Sequence, residues 1–224
     1  ELIDSENKYK PLRDPLNDFN FNESLKTIIA ERFKPKKGET VLDIGAYHGF
    51  GTIKLAKYVG IDGKVIAIES DPEALCILRK NVIANELTNI VIIPKAASDY
   101  TSDSAVFFQD KDLAGNSLRK DVLSTLGVED IRPIQVSVDT GDNILGELNI
   151  NCIHHLSITI NGGEPEALLG LRKIISRSEH VNVTMPGWYL RDKKRLDDLL
   201  VLHLTHLGFP YIHKGKLGRV IAWK

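Results

Sequence analysis

Val41-Leu42-Asp43-Ile44-Gly45-Ala46-Tyr47-His48-Gly49-Phe50-Gly51 decides the fold. The apolar run at its start is too short for a helix, three glycines follow in a tight cluster, and Thr52 to Val59 reads as helical. The stretch therefore predicts a strand, a glycine turn and a helix. Glycine lacks a Cβ and tolerates positive φ, so backbone there can approach an elongated ligand closely. Asp43, at the carboxyl end of the strand, is expected to face the crevice in which open parallel sheets bind ligands.

The spacing separates two cofactor classes. Nicotinamide and flavin folds use G-x-G-x-x-G, which seats a pyrophosphate at a helix N-terminus. Here the pattern is D-x-G-x-x-x-G-x-G. A carboxylate ahead of the first glycine repels a pyrophosphate and attracts a cation. S-adenosylmethionine, with an ammonium and a sulfonium, fits that charge; a nicotinamide oxidoreductase fits it less well.

The next segment, Lys64-Val65-Ile66-Ala67-Ile68-Glu69-Ser70-Asp71-Pro72, supports the methyl donor. Its unbroken apolar run suits a strand covered on both faces and ends on Glu69, placed to accept hydrogen bonds from ribose hydroxyls. Asp71 as N-cap and Pro72 at the first helical position then start a helix to about Asn85. Ile90 to Ile93 predicts a third strand. Beyond it, the small residues Ala96-Ala97-Ser98-Asp99 leave room for an adenine ring, with Ser98 or Asp99 able to bond its amino group; a simple turn is the alternative.

With 224 residues the chain suits one α/β domain and is short for two. A net charge of -1 argues against general attraction to nucleic acid or anionic membrane, although Arg191 to Arg195 form a local basic strip. Cys76 and Cys152 make no disulfide framework or metal motif, and Cys76 falls among helical apolar positions, so a buried thiol is expected. No metal site is expected. The polar start and the lack of a membrane-length apolar run predict a cytoplasmic protein, and Glu1 points to a trimmed start.

Residues 1–21, with Pro11 and Pro15, read as an arm with Leu12, Leu16, Phe19 and Phe21 as docking points. Residues 22–224 then form a single domain. Asn22 caps a helix carrying Leu25, Ile28, Ile29 and Phe33. Ala105 to Phe108 and Ile134 to Val138 predict strands flanking a polar loop with Leu113-Ala114-Gly115-Asn116-Ser117-Leu118, an excursion suited to substrate specificity. Ile153 to Ile160 predicts the fourth main strand, Pro165 opens a helix to about Ile175, and Val181 to Met185 a fifth strand. A last helix carries Leu196, Leu199, Leu200, His203 and Leu207, and Pro210 to His213 with Arg219 to Trp223 close an antiparallel edge.

This order predicts a doubly wound, mostly parallel α/β sheet, and it resembles the class I methyltransferase fold. Over roughly residues 38 to 190 the chain resembles the FkbM family of S-adenosylmethionine-dependent methyltransferases. The resemblance rests on Val41 to Ala46 with Gly49, Gly63 to Glu69 with Asp71-Pro72, Ala97-Ser98-Asp99, and Gly115 to Leu118. It extends to Val136-Ser137-Val138 with Asp142, and to Gly162 with Glu164-Pro165-Glu166-Ala167-Leu168 and Gly170. It implies that Asp43, Gly45, Ala46, Gly49, Glu69, Ser70, Ala97 and Ser98 hold S-adenosylmethionine. The family's fourth-strand motif, K-I-D-V-E-G-x-E, reads Ser157-Ile158-Thr159-Ile160-Asn161-Gly162-Gly163-Glu164 here.

Methyl transfer needs alignment of donor and acceptor, and an alcohol acceptor also needs a base. Thr159 and Asn161 can orient an acceptor but are not bases. Asn161 and Glu164 are therefore the residues expected nearest the acceptor, Glu164 as the replacement base or as a charge at the helix start. His48 sits in the turn, either reaching an acceptor or solvated. His154 and His155 point to opposite strand faces and cannot share a metal. Trp188 and Tyr189 either line the acceptor pocket or cover the sheet end. The expected function is O-methylation of a small-molecule or sugar-like acceptor; a cofactor-binding scaffold that has lost turnover is the alternative.

Overall fold

The computed structural model describes residues 19, 21–110, 115–125, 127 and 130–224. Its elements are α1 (Glu23–Arg32), β1 (Thr40–Ile44), α2 (Phe50–Val59), β2 (Lys64–Ile68), α3 (Pro72–Ala84), β3 (Ile90–Ile93) and β4 (Ala96–Ser98). Next come β5 (Ser102–Asp110), α4 (Lys120–Thr125), β6 (Ile131–Thr140), α5 (Gly141–Glu147), β7 (His155–Ile158), α6 (Glu164–Leu169) and α7 (Arg172–Arg177). The chain closes with β8 (Asn182–Pro186), β9 (Leu190–Arg191), β10 (Lys194–Arg195), α8 (Asp197–His206), β11 (Tyr211–Lys214) and β12 (Arg219–Trp223).

The main sheet runs β3-β2-β1-β7-β8-β12-β11, parallel except for β12, which is antiparallel to both β8 and β11. The expected doubly wound α/β sheet with an antiparallel edge is the fold observed. Strand β1 lies between β2 and β7, where strand order reverses. Loops leaving β1 and β7 part there and open a crevice at their carboxyl ends. Leu42, Ile44, Ile66, Ile68, Leu156 and Ile158 are buried in the principal core, as a sheet covered on both faces requires. The excursion after β3 forms its own sheet, β4-β6-β5, around Ala96, Phe107, Val136 and Val138.

Several local expectations are corrected. The fourth main strand is only His155–Ile158, because Thr159 onward leaves the ladder. The helix expected from Pro165 to Ile175 is two helices, broken after Leu169. Gly170 explains the break's fixed position, since a Cβ there would lie 2.1 Å from the Ser98 carbonyl oxygen. Cys76 is exposed rather than buried: α3 turns Ala74, Leu75, Leu78 and Val82 inward and leaves Cys76 on its outer face. In α1, Ile29 is buried but Leu25 and Ile28 are exposed. Of the arm's docking points, Phe19 stacks on Phe21, and Phe21 meets His213 edge-on. Leu12 and Leu16 lie outside the described residues, as do Leu113 and Ala114.

His154 and His155 each have a partner on the neighbouring β1 side of the sheet. His154 Nδ1 accepts from the Thr40 amide at 3.1 Å, and His155 Nε2 lies 3.0 Å from Glu39 Oε2. Among the described residues no helix is long and apolar enough to cross a membrane, and no cluster of His, Cys, Asp and Glu could hold a metal ion.

Overpacking against a fixed carbonyl should cost about 2 kcal/mol in Gly170→Ala. Gly146→Ala, where a Cβ would meet nothing within 4 Å, should be neutral or slightly stabilising. Urea unfolding of both variants checks the contrast.

Candidate active site

A cavity of about 230 Å³ opens at the carboxyl ends of β1, β2 and β7. Ile44 and Gly45 line it from β1, Glu69 and Ser70 from β2, Ala96 and Ala97 from the excursion, and Thr159 to Asn161 with Gly163 from the loop after β7. Gly45 (φ +83°) lies so close to the Thr159 carbonyl oxygen that an added Cβ would stand 1.9 Å from it. A side chain here would both clash and strain the backbone.

Glu69 presents the carboxylate of the cavity wall. Its Oε2 accepts from the Tyr47 amide at 2.7 Å, and its Oε1 accepts from the Ser70 and Asp71 amides, each at 2.8 Å. A carboxylate has about four acceptor positions, so this anchoring leaves room for a further donor. Burial pushes the Glu69 carboxyl upward and the three amides pull it back.

Asp71 organises the cavity's roof. Its Oδ1 accepts from the Glu73 and Ala74 amides as N-cap of α3, while Oδ2 accepts from Gln109 Nε2 at 2.7 Å and Asn116 Nδ2 at 2.9 Å. Asn116 passes the connection on: its carbonyl accepts from Asn161 Nδ2 at 2.8 Å. Ser117 Oγ donates to the Asn161 carbonyl at 2.9 Å, and Tyr189 Oη donates to Asn161 Oδ1 at 2.7 Å. Asn161 stands at φ +55°, a left-handed conformation that asparagine tolerates better than most side chains.

Of the expected site residues, Gly45, Glu69, Ser70, Ala97 and Asn161 meet around this cavity; Asp43, Ala46, Gly49, Ser98 and Glu164 do not line it. Asp43 lies beneath the turn, where Oδ2 accepts from Thr52 Oγ1 at 2.7 Å and the Ser157 hydroxyl adds a second bond. Ser157 faces Asp43 because the two pair in register across β1 and β7. Burial raises the Asp43 carboxyl and these bonds oppose the rise. Glu164 is fully buried behind the loop, with Oε1 accepting from the Ile160 amide at 3.0 Å and Oε2 from the Gly162 amide at 2.8 Å. It does not stand beside the acceptor space as expected.

The turn and the loop after β8 also differ from expectation. His48 is fully buried, not solvated, and its ring stacks on Tyr47 with centroids 3.6 Å apart. Tyr189 is buried against Asn161, whereas Trp188 is half-exposed beneath the Arg219 guanidinium. Sequence reading missed Tyr47, Lys95, Phe107 and Leu118 as lining residues. Lys95 is fixed there by Asp139 at 2.7 Å, a contact across 44 positions that no local pattern encodes.

The model of the Methyltransferase FkbM domain matches residues 43–211, which is most of the chain. The chain belongs to the FkbM methyltransferase family. Its architecture is that of the class I methyltransferases, and S-adenosylmethionine is the cofactor of this family. Among solved structures, methyltransferase FkbM from Methylobacillus flagellatus aligns with a TM-score of 0.56 at 17% identity, covering 94% of this chain and 48% of that one. A SAM-dependent methyltransferase from Aquifex aeolicus aligns with a TM-score of 0.50 at 16% identity, covering 94% and 92%. At such identities the likeness is one of fold.

Curated relatives match over shorter stretches. Arsenite methyltransferase of Halobacterium salinarum is 43% identical over 53 residues, 24% of this chain and 14% of that protein. "Probable ribosomal RNA small subunit methyltransferase A" of Methanosphaera stadtmanae is 46% identical over 66 residues, 30% and 23% of the two chains. The FkbM chain thus spans under a quarter of the length of these two relatives.

The residues present suit the chemistry of the cofactor: the Gly45 turn carries no side chain, Glu69 keeps spare acceptor capacity, and the Ala96 and Ala97 side chains are small.

Burial pushes the Glu164 carboxyl from its ordinary 4.5 up to about 7. In that window the folded chain keeps a proton that the unfolded chain releases, so this contribution is whole below about 4.5 and fades as pH rises through about 7. Glu164→Gln should flatten that decline, as read from urea midpoints measured at about pH 5 and about pH 8.

Proposed function

We propose that this FkbM domain transfers the methyl group of S-adenosylmethionine to an oxygen of a small or sugar-like acceptor presented at Asn161. The observation that carries the reading is that Gly45, Glu69 and Ser70 share one cavity with Thr159, Ile160, Asn161 and Gly163 of the loop after β7. When bound, the cofactor supplies a methyl group already activated by its sulfonium. Glu69 holds ribose hydroxyls with its remaining acceptor positions, and Ser70 and Ala97 bound the adenine end, with Ser98 next along β4 but off the cavity lining. Asp43, two residues before Gly45, places negative charge under the cationic end; Ala46 and Gly49 shape the turn that follows.

On the acceptor side, Asn161 orients the incoming hydroxyl. Tyr189 and Asn116 fix its amide from either end, so the orientation is set before the acceptor arrives. Glu164 acts through the loop: its two backbone bonds hold Ile160 and Gly162 on either side of Asn161. It is a positioning residue in this reading.

One observation favours the second reading, a cofactor-binding domain without turnover. The acceptor-side lining, Thr159, Ile160, Asn161 and Gly163, carries no carboxylate or imidazole to take an alcohol's proton.

Calorimetric titration separates these readings. S-adenosylmethionine and S-adenosylhomocysteine should bind saturably, and Glu69→Ala should weaken both at least tenfold, since bonds to a charged acceptor contribute about 1.5–3 kcal/mol each. Asp43→Ala should weaken S-adenosylmethionine more than its uncharged product. Asn161→Ala should leave donor binding intact and lower kcat. Absence of binding by the intact chain would overturn the donor site, and binding without S-adenosylhomocysteine release for any acceptor would favour the scaffold.

A further inference from the structure

The loop after β8 builds a second, open groove beside the first cavity. Its cationic lining is Arg191, Lys193, Lys194, Arg195, Lys214 and Lys216, set against three carboxylates, Asp192, Asp197 and Asp198. Arg191 is itself paired with Glu166 at 2.8 Å, so the remaining lining carries an excess of two positive charges on a chain whose net charge is -1.

Its acids are largely committed. Asp197 pairs with Arg195 at 2.8 Å, and Asp198 with Lys214 at 2.6 Å. Among the described residues, no ion pair involves Lys193, Lys194 or Lys216, and all three are exposed. Strands β9 and β10 form a hairpin whose two-residue turn, Asp192-Lys193, has φ of +51° and +63°. Glycine or asparagine would be cheaper in such a turn. Here the turn places a lysine at its tip.

The groove also touches the acceptor side of the cavity. Arg191 lines the groove, and its Nη2 donates at 2.8 Å to the carbonyl of Gly162, which lies between the cavity residues Asn161 and Gly163. The same segment that carries the groove's hairpin carries Tyr189, which holds Asn161. Trp188, 39% exposed with Arg219 on its ring face, precedes the hairpin and offers an aromatic surface.

We infer that the groove binds phosphate groups carried by the methyl acceptor, so that the acceptor enters phosphate-bound with its hydroxyl directed toward Asn161. The inference rests on the methyltransferase reading for the identity of the acceptor, and on the groove alone for phosphate binding. Exposed lysines each contribute little, and several phosphates bridged at once contribute cumulatively. A diphosphate or a phosphodiester strand meets that condition.

The test uses the intact chain with pyrophosphate, ADP and a single-stranded oligouridylate as separate probes, by calorimetry at low salt. The combined variant Lys193→Glu, Lys194→Glu, Lys216→Glu alters only exposed side chains and should still bind S-adenosylmethionine normally. It should weaken the bound probe at least tenfold and, for a strand, reduce the salt slope by about two, at roughly 0.7 per lost contact. Trp188→Ala should weaken ADP more than pyrophosphate. Binding of pyrophosphate and ADP assigns a small phosphorylated acceptor, and binding of the oligomer alone assigns a strand. Absence of binding by every probe, or equal binding by the triple variant, overturns the groove whether or not the donor site stands.

Discussion

The carboxylate of Asp71 is the constraint on which the cavity depends. Both oxygens are engaged, one by the amides that begin α3 and the other by Gln109 and Asn116 from the excursion. A buried carboxylate without donors would be costly, so the excursion cannot leave Asp71 without exposing that charge to an apolar surrounding. Through Asn116 the same carboxylate reaches Asn161, and through Asn161 it reaches Tyr189. One capping residue thereby sets the distance between the wall ending β2 and the loop ending β7.

The altered motif on the fourth strand has a consistent local logic. Ser157, at the family's lysine position, hydrogen-bonds Asp43 rather than forming an ion pair with it. Thr159 contributes mainly backbone: its amide donates to the Ile44 carbonyl, and its own carbonyl lies against Gly45. Asn161 occupies a left-handed turn and carries an amide with a donor and an acceptor. Both ends of that amide are in use, so its orientation is fixed by the fold.

The sheet was legible because its signals are local. Val41 to Ile44 is apolar but for Asp43 and runs into Gly45, Val65 to Ile68 is an apolar run followed by Glu69, and Asp71-Pro72 marks the start of α3 to the residue. The placement of Gly45, Glu69 and Ser70 in the cavity wall was legible for the same reason, since glycine and acid spacing carry it within a few positions, whereas Asp43, Ala46 and Gly49 from the same signal lie off the lining. The acceptor side was not. Asn116 and Tyr189 meet Asn161 across 45 and 28 positions, and periodicity carries no information at that range. Glu164 failed differently: its place in the motif suggested a group facing substrate, but the short α6 turns it inward to satisfy two loop amides. Cys76 failed for a geometric reason, one residue from Leu75 being enough to rotate a side chain off the buried face.

The excursion sheet has its own apolar nucleus and meets the α3 end of the site chiefly through amide side chains on Asp71. Strand β6 leads into α5, whose Ile144 and Leu145 sit in the principal core, so one end is firmly rooted. The other end is held by side-chain hydrogen bonds, from Gln109 and Asn116 to Asp71, from Asn161 to the Asn116 carbonyl and from Ser117 to the Asn161 carbonyl, none of them part of a main-sheet ladder. Such a module has its own free energy of opening, lower than that of the whole domain. The three-stranded sheet beside the cavity is thus tied to the base by side chains rather than by strand pairing, and the cost of separating the two is set by those few polar contacts.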